Sequence, residues 1–234
     1  MRILIIIPAF NEEKNINNVV QNLILNCPDY DYLIVNDCSL DQTAKICREN
    51  GYNYLSLPSN LGIGGAVQAG YIYADENDYD ITVQIDGDGQ HDPIYIKEML
   101  EIMETQKNDM VIGSRFIECK GFQTSFLRRV GIKLIQGVIY LCCGVKITDT
   151  TSGYRLCSKE LTKFYAQNYA QDYPEPEAIV AAVLNGYKVQ EIPVIMHERK
   201  EGTSSINFTK SIYYMIKVSL ALIIYRMSIK KRGS

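Results

Sequence analysis

Apolar residues run along this chain in two rhythms. Residues 3–7, 32–35, 81–85 and 110–113 are short, nearly unbroken apolar runs, and 52–57 adds a run rich in tyrosine and leucine. Between the runs, apolar positions recur at helical spacing, as in Ile16, Val19, Val20, Leu23 and Ile24. A run apolar on both faces predicts a strand inside a parallel sheet, and the spaced positions predict helices with one buried stripe. Strand and helix alternate four or five times without a break. That order predicts a doubly wound α/β fold with a mostly parallel sheet.

Local signals mark the boundaries. Asn11, followed by Glu12 and Glu13, predicts an N-cap with acids at the positive end of the helix dipole. Ser39 and Gln42 make a capping-box pair for the second helix. Gly62, Gly64 and Gly65 lead into a helix running through Tyr73. They suit either N–H groups exposed to a phosphate or close packing of helix on sheet. Their spacing does not match a dinucleotide fingerprint. Pro93 opens a helix to about Gln106, with Ile94, Ile96 and Leu100 on its apolar face.

The pattern changes after residue 117. Residues 121–129 read as a loop bearing Arg128 and Arg129, 130–143 as an apolar helix, and 149–155 as a loop crowded with functional groups. Glu175-Pro176-Glu177 opens a helix that Gly186 closes. Residues 187–196 read as a strand, and Pro193 inside it predicts an edge position. A charged stretch, 197–205, separates a domain of residues 1–205 (halves 1–115 and 116–205) from a C-terminal segment, 206–234. That segment is apolar with interspersed Lys210, Lys217, Arg226, Lys230, Lys231 and Arg232. Its uncharged run is too short for a span of about 20 residues. It predicts an amphipathic basic helix, either at an anionic membrane surface or packed on the domain or on a partner protein.

Composition narrows the class. With 47% hydrophobic and 22% charged residues in 234, the chain can bury a sizeable core. A net charge of −3 argues against a general nucleic-acid binder. Seven cysteines without paired spacing give neither a disulfide framework nor a zinc site, and suit a reducing cytosol. The apolar start, 3–7, is too short for a signal peptide.

The densest chemistry is Asp86-Gly87-Asp88-Gly89-Gln90-His91-Asp92-Pro93, directly after an expected core strand. Ligands of open α/β sheets bind at the carboxyl ends of strands. Gly87 and Gly89 let a ligand approach the backbone, and two hard oxygen donors suit Mg²⁺ or Mn²⁺ bridging to a diphosphate. A calcium loop of the EF-hand type fits poorly, since it would need a glycine where His91 stands and a glutamate where Lys97 stands. Asp37, at the tip of the second strand, suits a contact to a base or ribose, or a turn.

In order, Pro8-Ala9-Phe10-Asn11-Glu12-Glu13, Asp37 with Asp41 and Thr43, the loop from Asn60, Asp86 and Asp88, Gly113-Ser114-Arg115 and Ser152-Gly153-Tyr154-Arg155 resemble the family-two inverting glycosyltransferases of GT-A fold. The branch they resemble is the dolichyl- or polyprenyl-phosphate sugar synthases. The resemblance implies that Pro8, Phe10, Asn11, Glu12, Asp37 and Asn60 receive a nucleotide sugar, UDP- or GDP-linked. It implies that Asp86 and Asp88, continued by Gln90, hold a metal ion and the diphosphate. It gives the transfer itself to Asp88, Arg115, Glu177 and Arg199. Arg199 and Gly202 match a loop that closes over the diphosphate, with Ser205 where that loop usually carries a lysine. Ser152 and Arg155, with Arg128 and Arg129, fall on the acceptor side. His197 reads either as a further metal ligand or as a surface histidine.

Three functions follow as alternatives. A lipid phosphate acceptor is already ionised and needs arginines more than a base. A saccharide hydroxyl needs a carboxylate base, with Glu177, Glu175 and Asp172 as candidates. A non-catalytic partner would bind a nucleotide or dock on a small membrane protein. The expected location is cytoplasmic, peripheral at the cytoplasmic face of the membrane.

Overall fold

A computed structural model describes residues 1–120, 126–198 and 208–232. One sheet contains β1 (Ile3–Ala9), β2 (Asp31–Asn36), β3 (Tyr54–Ser56), β4 (Ile81–Gln84), β5 (Met110–Ser114), β6 (Arg155–Ser158) and β7 (Val189–Pro193). Their order is β3-β2-β1-β4-β6-β5-β7. All neighbours are parallel except β6, which runs antiparallel to both β4 and β5. The mostly parallel α/β fold expected from the alternation is therefore present, and β7 lies at the edge as Pro193 requires.

Burial on both faces explains the unbroken apolar runs. In β1, Ile3, Ile5 and Ile7 enter one core, with α1 (Ile16–Asn26), α2 (Thr43–Glu49) and α4 (Ile96–Gln106). Leu4 and Ile6 enter the other, with α3 (Gly62–Glu76), α5 (Phe126–Cys143), α6 (Lys159–Asn168), α7 (Pro174–Leu184) and α8 (Phe208–Arg232). Each such side chain contributes about 1.5–3 kcal/mol on burial.

Several expectations are corrected. Asn11 caps no helix; its φ is +56°, its side-chain oxygen accepts the Leu40 N–H at 2.8 Å, and α1 starts at Ile16. The capping box of Ser39 and Gln42 does not form. Ser39 Oγ instead accepts the Asn11 N–H at 3.0 Å, and the Gln42 N–H donates to Glu13 at 2.9 Å. The loops after β1 and β2 are thus knitted to each other, and tertiary hydrogen bonds override the local capping signal. β6 and α6 were not expected at all, α5 already starts at Phe126, and α3 extends to Glu76.

α8 packs along α5 and α7. It buries Val218 and Leu222 but exposes Ile216, Leu220, Ile223, Ile224 and Met227. Apolar side chains therefore stand on both its packed and its outward sides, rather than in one stripe. Among the described residues no helix is long and apolar enough to cross a membrane.

Gly64 and Gly70 of α3 serve packing. A Cβ on Gly64 would collide with the carbonyl oxygens of Ala170 and Gln171, and one on Gly70 with Ile6. Gly64→Ala should lower the unfolding free energy by about 1–3 kcal/mol in urea titrations, because backbone has to shift. Gly137 in α5 faces open space, so Gly137→Ala should instead stabilise by about 0.4–1 kcal/mol. Equal effects of the two changes would contradict this packing account.

Candidate active site

The carboxyl ends of β1, β2 and β4 meet at a cavity of about 630 Å³. It is lined by Pro8, Phe10, Asn11 and Glu12 from the first loop, Asp37 and Asn60 from the second side, and Asp86, Gly87 and Asp88 from the third. The structure thus brings together nearly all the residues singled out for a nucleotide and a diphosphate. Gln90 lies just beyond, where its N–H donates to Asp88 Oδ1 at 3.0 Å.

Each wall has a physical cause. Asp37 is buried, and its Oδ1 accepts the Leu61 N–H at 2.7 Å while its carbonyl accepts Asn60 Nδ2 at 3.1 Å. Asn60 Oδ1 in turn accepts the Gly62 N–H at 3.2 Å, which shapes the start of α3. Glu12 is buried, accepts Asn15 Nδ2 at 2.7 Å and donates its N–H to Thr43 Oγ1 at 2.9 Å. Phe10 is exposed on the rim, where its ring can stack on a flat base. A Cβ on Gly87 would stand 3.0 Å from the Pro8 carbonyl, so the acidic loop lies directly on the end of β1.

The acidic loop suits a hard divalent ion. Asp86 and Asp88 both open onto the cavity, and the Asp86 side chain is 35% exposed. Among the described residues no group of three metal-ligating side chains occurs. A pair of carboxylates leaves the remaining positions of such an ion to diphosphate oxygens and water, the usual arrangement for Mg²⁺ with phosphates. His197 is not aimed at this pair. Its Nε2 lies 3.1 Å from Asp92 Oδ2, its N–H donates to Gln90 O at 2.9 Å, and its carbonyl accepts from the Gln90 side-chain Nε2 at 3.1 Å.

Arg115 forms a buried two-pronged ion pair. Its Nε and Nη2 each lie 2.7 Å from an oxygen of Asp149, and Nη2 also reaches Thr151 Oγ1 at 3.1 Å. Glu191 accepts the N–H of Thr148 at 2.6 Å and of Asp149 at 2.7 Å, which fixes that loop to β7. Burial, first of all, pushes the Glu191 carboxyl up. Asp149, which pairs with Arg115, and Glu191, which anchors its loop, are residues whose contacts the sequence reading missed. The only signal was the crowding of polar groups at 149–155.

The remaining candidates divide. Glu177 lies in the first turn of α7, where burial and then Asp172 push its carboxyl above the usual range. Arg129 sits 5.6 Å from the Phe116 ring centre, beside Arg115 at 5.1 Å. Ser152 and Arg155 face inward: each is 1% exposed. Arg155 Nε donates to Ser152 O at 2.8 Å and Nη2 to Glu175 O at 2.7 Å. The Arg128 side chain and all of Arg199, Gly202 and Ser205 lie outside the described residues.

Residues 4–165 match the family model described as Glycosyl transferase family 2. The chain belongs to glycosyl transferase family 2. It is 33% identical over 213 residues to the UDP-N-acetylglucosamine--dolichyl-phosphate N-acetylglucosaminyltransferase of Methanococcus voltae, covering 82% of this chain and 84% of that one. It is 28% identical over 231 residues to the polyprenol monophosphomannose synthase of Mycolicibacterium smegmatis, covering 93% and 86%. A glucosyl-3-phosphoglycerate synthase of Mycobacterium tuberculosis, solved with Mn²⁺, UDP and phosphoglyceric acid, shares the fold with a TM-score of 0.69 at 18% identity, over 96% of this chain and 78% of that one. The protein is a glycosyltransferase of GT-A fold.

Proposed function

We propose that this glycosyltransferase moves a sugar from a nucleoside diphosphate sugar, UDP- or GDP-linked, to a polyprenyl phosphate at a membrane surface. The observation that carries the reading is the cavity that runs from Phe10, Asp37 and Asn60 to Asp86 and Asp88. It offers a place for a base at one end and two carboxylates for a metal-bound diphosphate at the other. In the reaction the acceptor oxygen attacks the anomeric carbon, a C–O bond forms, and the bond to the diphosphate breaks with inversion. Asp86 and Asp88 would hold a divalent ion, which would supply positive charge to the leaving diphosphate. Phe10, Asp37 and Glu12 hold the nucleoside end, so the anomeric carbon is presented from a fixed direction.

The similarity to polyprenyl- and dolichyl-phosphate enzymes supports the lipid acceptor. Charge supports the membrane. α5 and α8 together hold nine basic and no acidic residues, while the rest of the chain holds 15 basic and 27 acidic. The same two helices expose Val130, Leu134, Leu141, Ile216, Leu220 and Ile224. A basic surface with outward aliphatic side chains suits an anionic bilayer. Neutralising Arg226, Lys230, Lys231 and Arg232 should weaken binding to phosphatidylserine-containing vesicles, by roughly 1 kcal/mol per charge near the surface. Wild-type protein that ignores such vesicles at low salt contradicts the membrane reading.

A second reading, a saccharide hydroxyl as acceptor, is favoured by Glu177, whose raised carboxyl suits a general base. One assay separates the two: nucleotide sugars with Mn²⁺, with and without a short polyprenyl phosphate, read by product mass. Product that requires the lipid phosphate is the expected result. Product formed only on saccharides overturns the first reading in favour of the second.

A further inference from the structure

The segment Ser152-Gly153-Tyr154-Arg155 packs against the acidic loop and its neighbouring strands. Ser152 Oγ donates to Gly113 O at 2.6 Å on β5 and accepts the Tyr154 N–H at 3.2 Å. The Tyr154 ring stacks on His91, with centroids 5.0 Å apart and planes 16° from parallel, and its hydroxyl donates to Asp92 O at 2.7 Å. Arg155 stands opposite Gln84 in the β4–β6 register.

Asp86 lies at the centre of these contacts. Its N–H donates to His91 Nδ1 at 3.1 Å, and its Oδ1 accepts from Gln84 Nε2 at 3.2 Å. Gln84 is buried at the end of β4. The opposite orientation of its amide would set Oε1 against a carboxylate oxygen, so the nitrogen must face Asp86. On the other side stands Gly153. A Cβ there would lie 2.8 Å from Asp86 Oδ1, 3.0 Å from Asp86 Oδ2 and 2.9 Å from Gln84 Nε2.

Gln84 is a poor choice for stability. Its Oε1 is buried without a partner among the described residues, which costs free energy that an apolar side chain of the same length would not. A local departure from good packing, next to a carboxylate that opens onto the cavity, points to a role in the site. A carboxylate on a loop is free to turn about its two side-chain bonds. The Gln84 donor on Oδ1 fixes its plane, while Oδ2 faces His91 Nε2 at 3.7 Å, beyond hydrogen-bond reach, and stays available to an ion.

We propose that Gln84 and Gly153 are positioning residues for the Asp86 carboxylate, Gln84 by holding Oδ1 and Gly153 by leaving the space it occupies. The segment 152–155 then sets the metal-diphosphate site rather than touching the acceptor. This rests on the functional reading above in one respect, that Asp86 faces a metal-bound diphosphate.

The test is calorimetric titration of Mn²⁺ into protein with UDP or GDP, alongside thermal unfolding without metal. It uses wild type, Gln84→Met and Gly153→Ala. Gln84→Met should keep or raise the unfolding midpoint, because the unpartnered oxygen is gone, yet need about tenfold more Mn²⁺ for half-saturation. Gly153→Ala should shift Mn²⁺ the same way, and neither change should raise the KM for the acceptor. A purely structural role cannot give unchanged stability with weakened metal binding. Wild-type Mn²⁺ response in folded Gln84→Met overturns the proposal, as does a rise in acceptor KM alone. If neither variant folds, the pair serves stability and the proposal fails. Wild type that binds Mn²⁺ and nucleotide while the variants match it defeats this inference alone. Wild type without any Mn²⁺-dependent nucleotide binding defeats the functional reading as well.

Discussion

Asp88→Asn should cut the rate of sugar transfer by at least about a hundredfold at saturating donor. The substitution is conservative in shape. Asn keeps an oxygen that can accept the Gln90 N–H, now at 3.0 Å, so the turn after Asp88 should persist. What it removes is one negative charge facing the cavity. The leaving diphosphate gains charge as the bond to the anomeric carbon lengthens, and a weakly held cation offsets that charge less well. The loss should therefore fall on the rate at saturating donor and on metal affinity together. Unfolding midpoints should stay close to wild type, since Asp88 lines the cavity rather than the core. Saturating chelator should abolish transfer by the wild type. Full activity in Asp88→Asn, or in chelator, removes the metal from the mechanism.

Much of this site is legible in the sequence because its residues follow directly on strands. β1, β2 and β4 are apolar runs, and Phe10, Asp37 and Asp86 stand at their carboxyl ends, where the fold class alone locates a ligand. What stayed illegible depends on contacts distant in sequence. β6 is four residues long, starts with a buried arginine, and fits between β4 and β5 only through pairing across about seventy residues on one side. No local period announces that. The partner of Arg115 lies 34 residues away at Asp149, and Glu191 a further 42. The same reason explains the inward turn of Ser152 and Arg155. Their residue types suggest a surface that meets an anionic acceptor, but the antiparallel register carries Arg155 into the interior, and Ser152 turns inward to donate to Gly113 O. Asn11 and Cys38, both with φ of +56°, show the local version of this effect. Neither is glycine, and the knitted loops around them hold a conformation their own preferences would not choose.

The nature of the acceptor should appear as opposite patterns in two sets of mutants. If a hydroxyl attacks, a base must take its proton, and Glu177→Gln should cost about 10²–10⁴ in rate at saturating substrate. If a lipid phosphate attacks, its oxygen is already ionised, and the same change should cost far less. Arg128→Ala with Arg129→Ala should then raise the acceptor KM by at least about tenfold, since hydrogen bonds to charged groups are worth about 1.5–3 kcal/mol each. The pH profile adds an independent sign. Burial, and then the charge of Asp172, raise the Glu177 carboxyl, so as a base it would lose activity as pH falls through that raised value. That acid limb would vanish in Glu177→Gln. With a phosphate acceptor, the acid limb belongs to the acceptor's own second ionisation, near pH 6, and persists in the mutant. We expect the second pattern: a persistent acid limb, a mild Glu177→Gln, and a raised KM in the double arginine mutant. Collapse of the rate in Glu177→Gln, together with transfer only to saccharides, would replace the lipid phosphate by a hydroxyl acceptor.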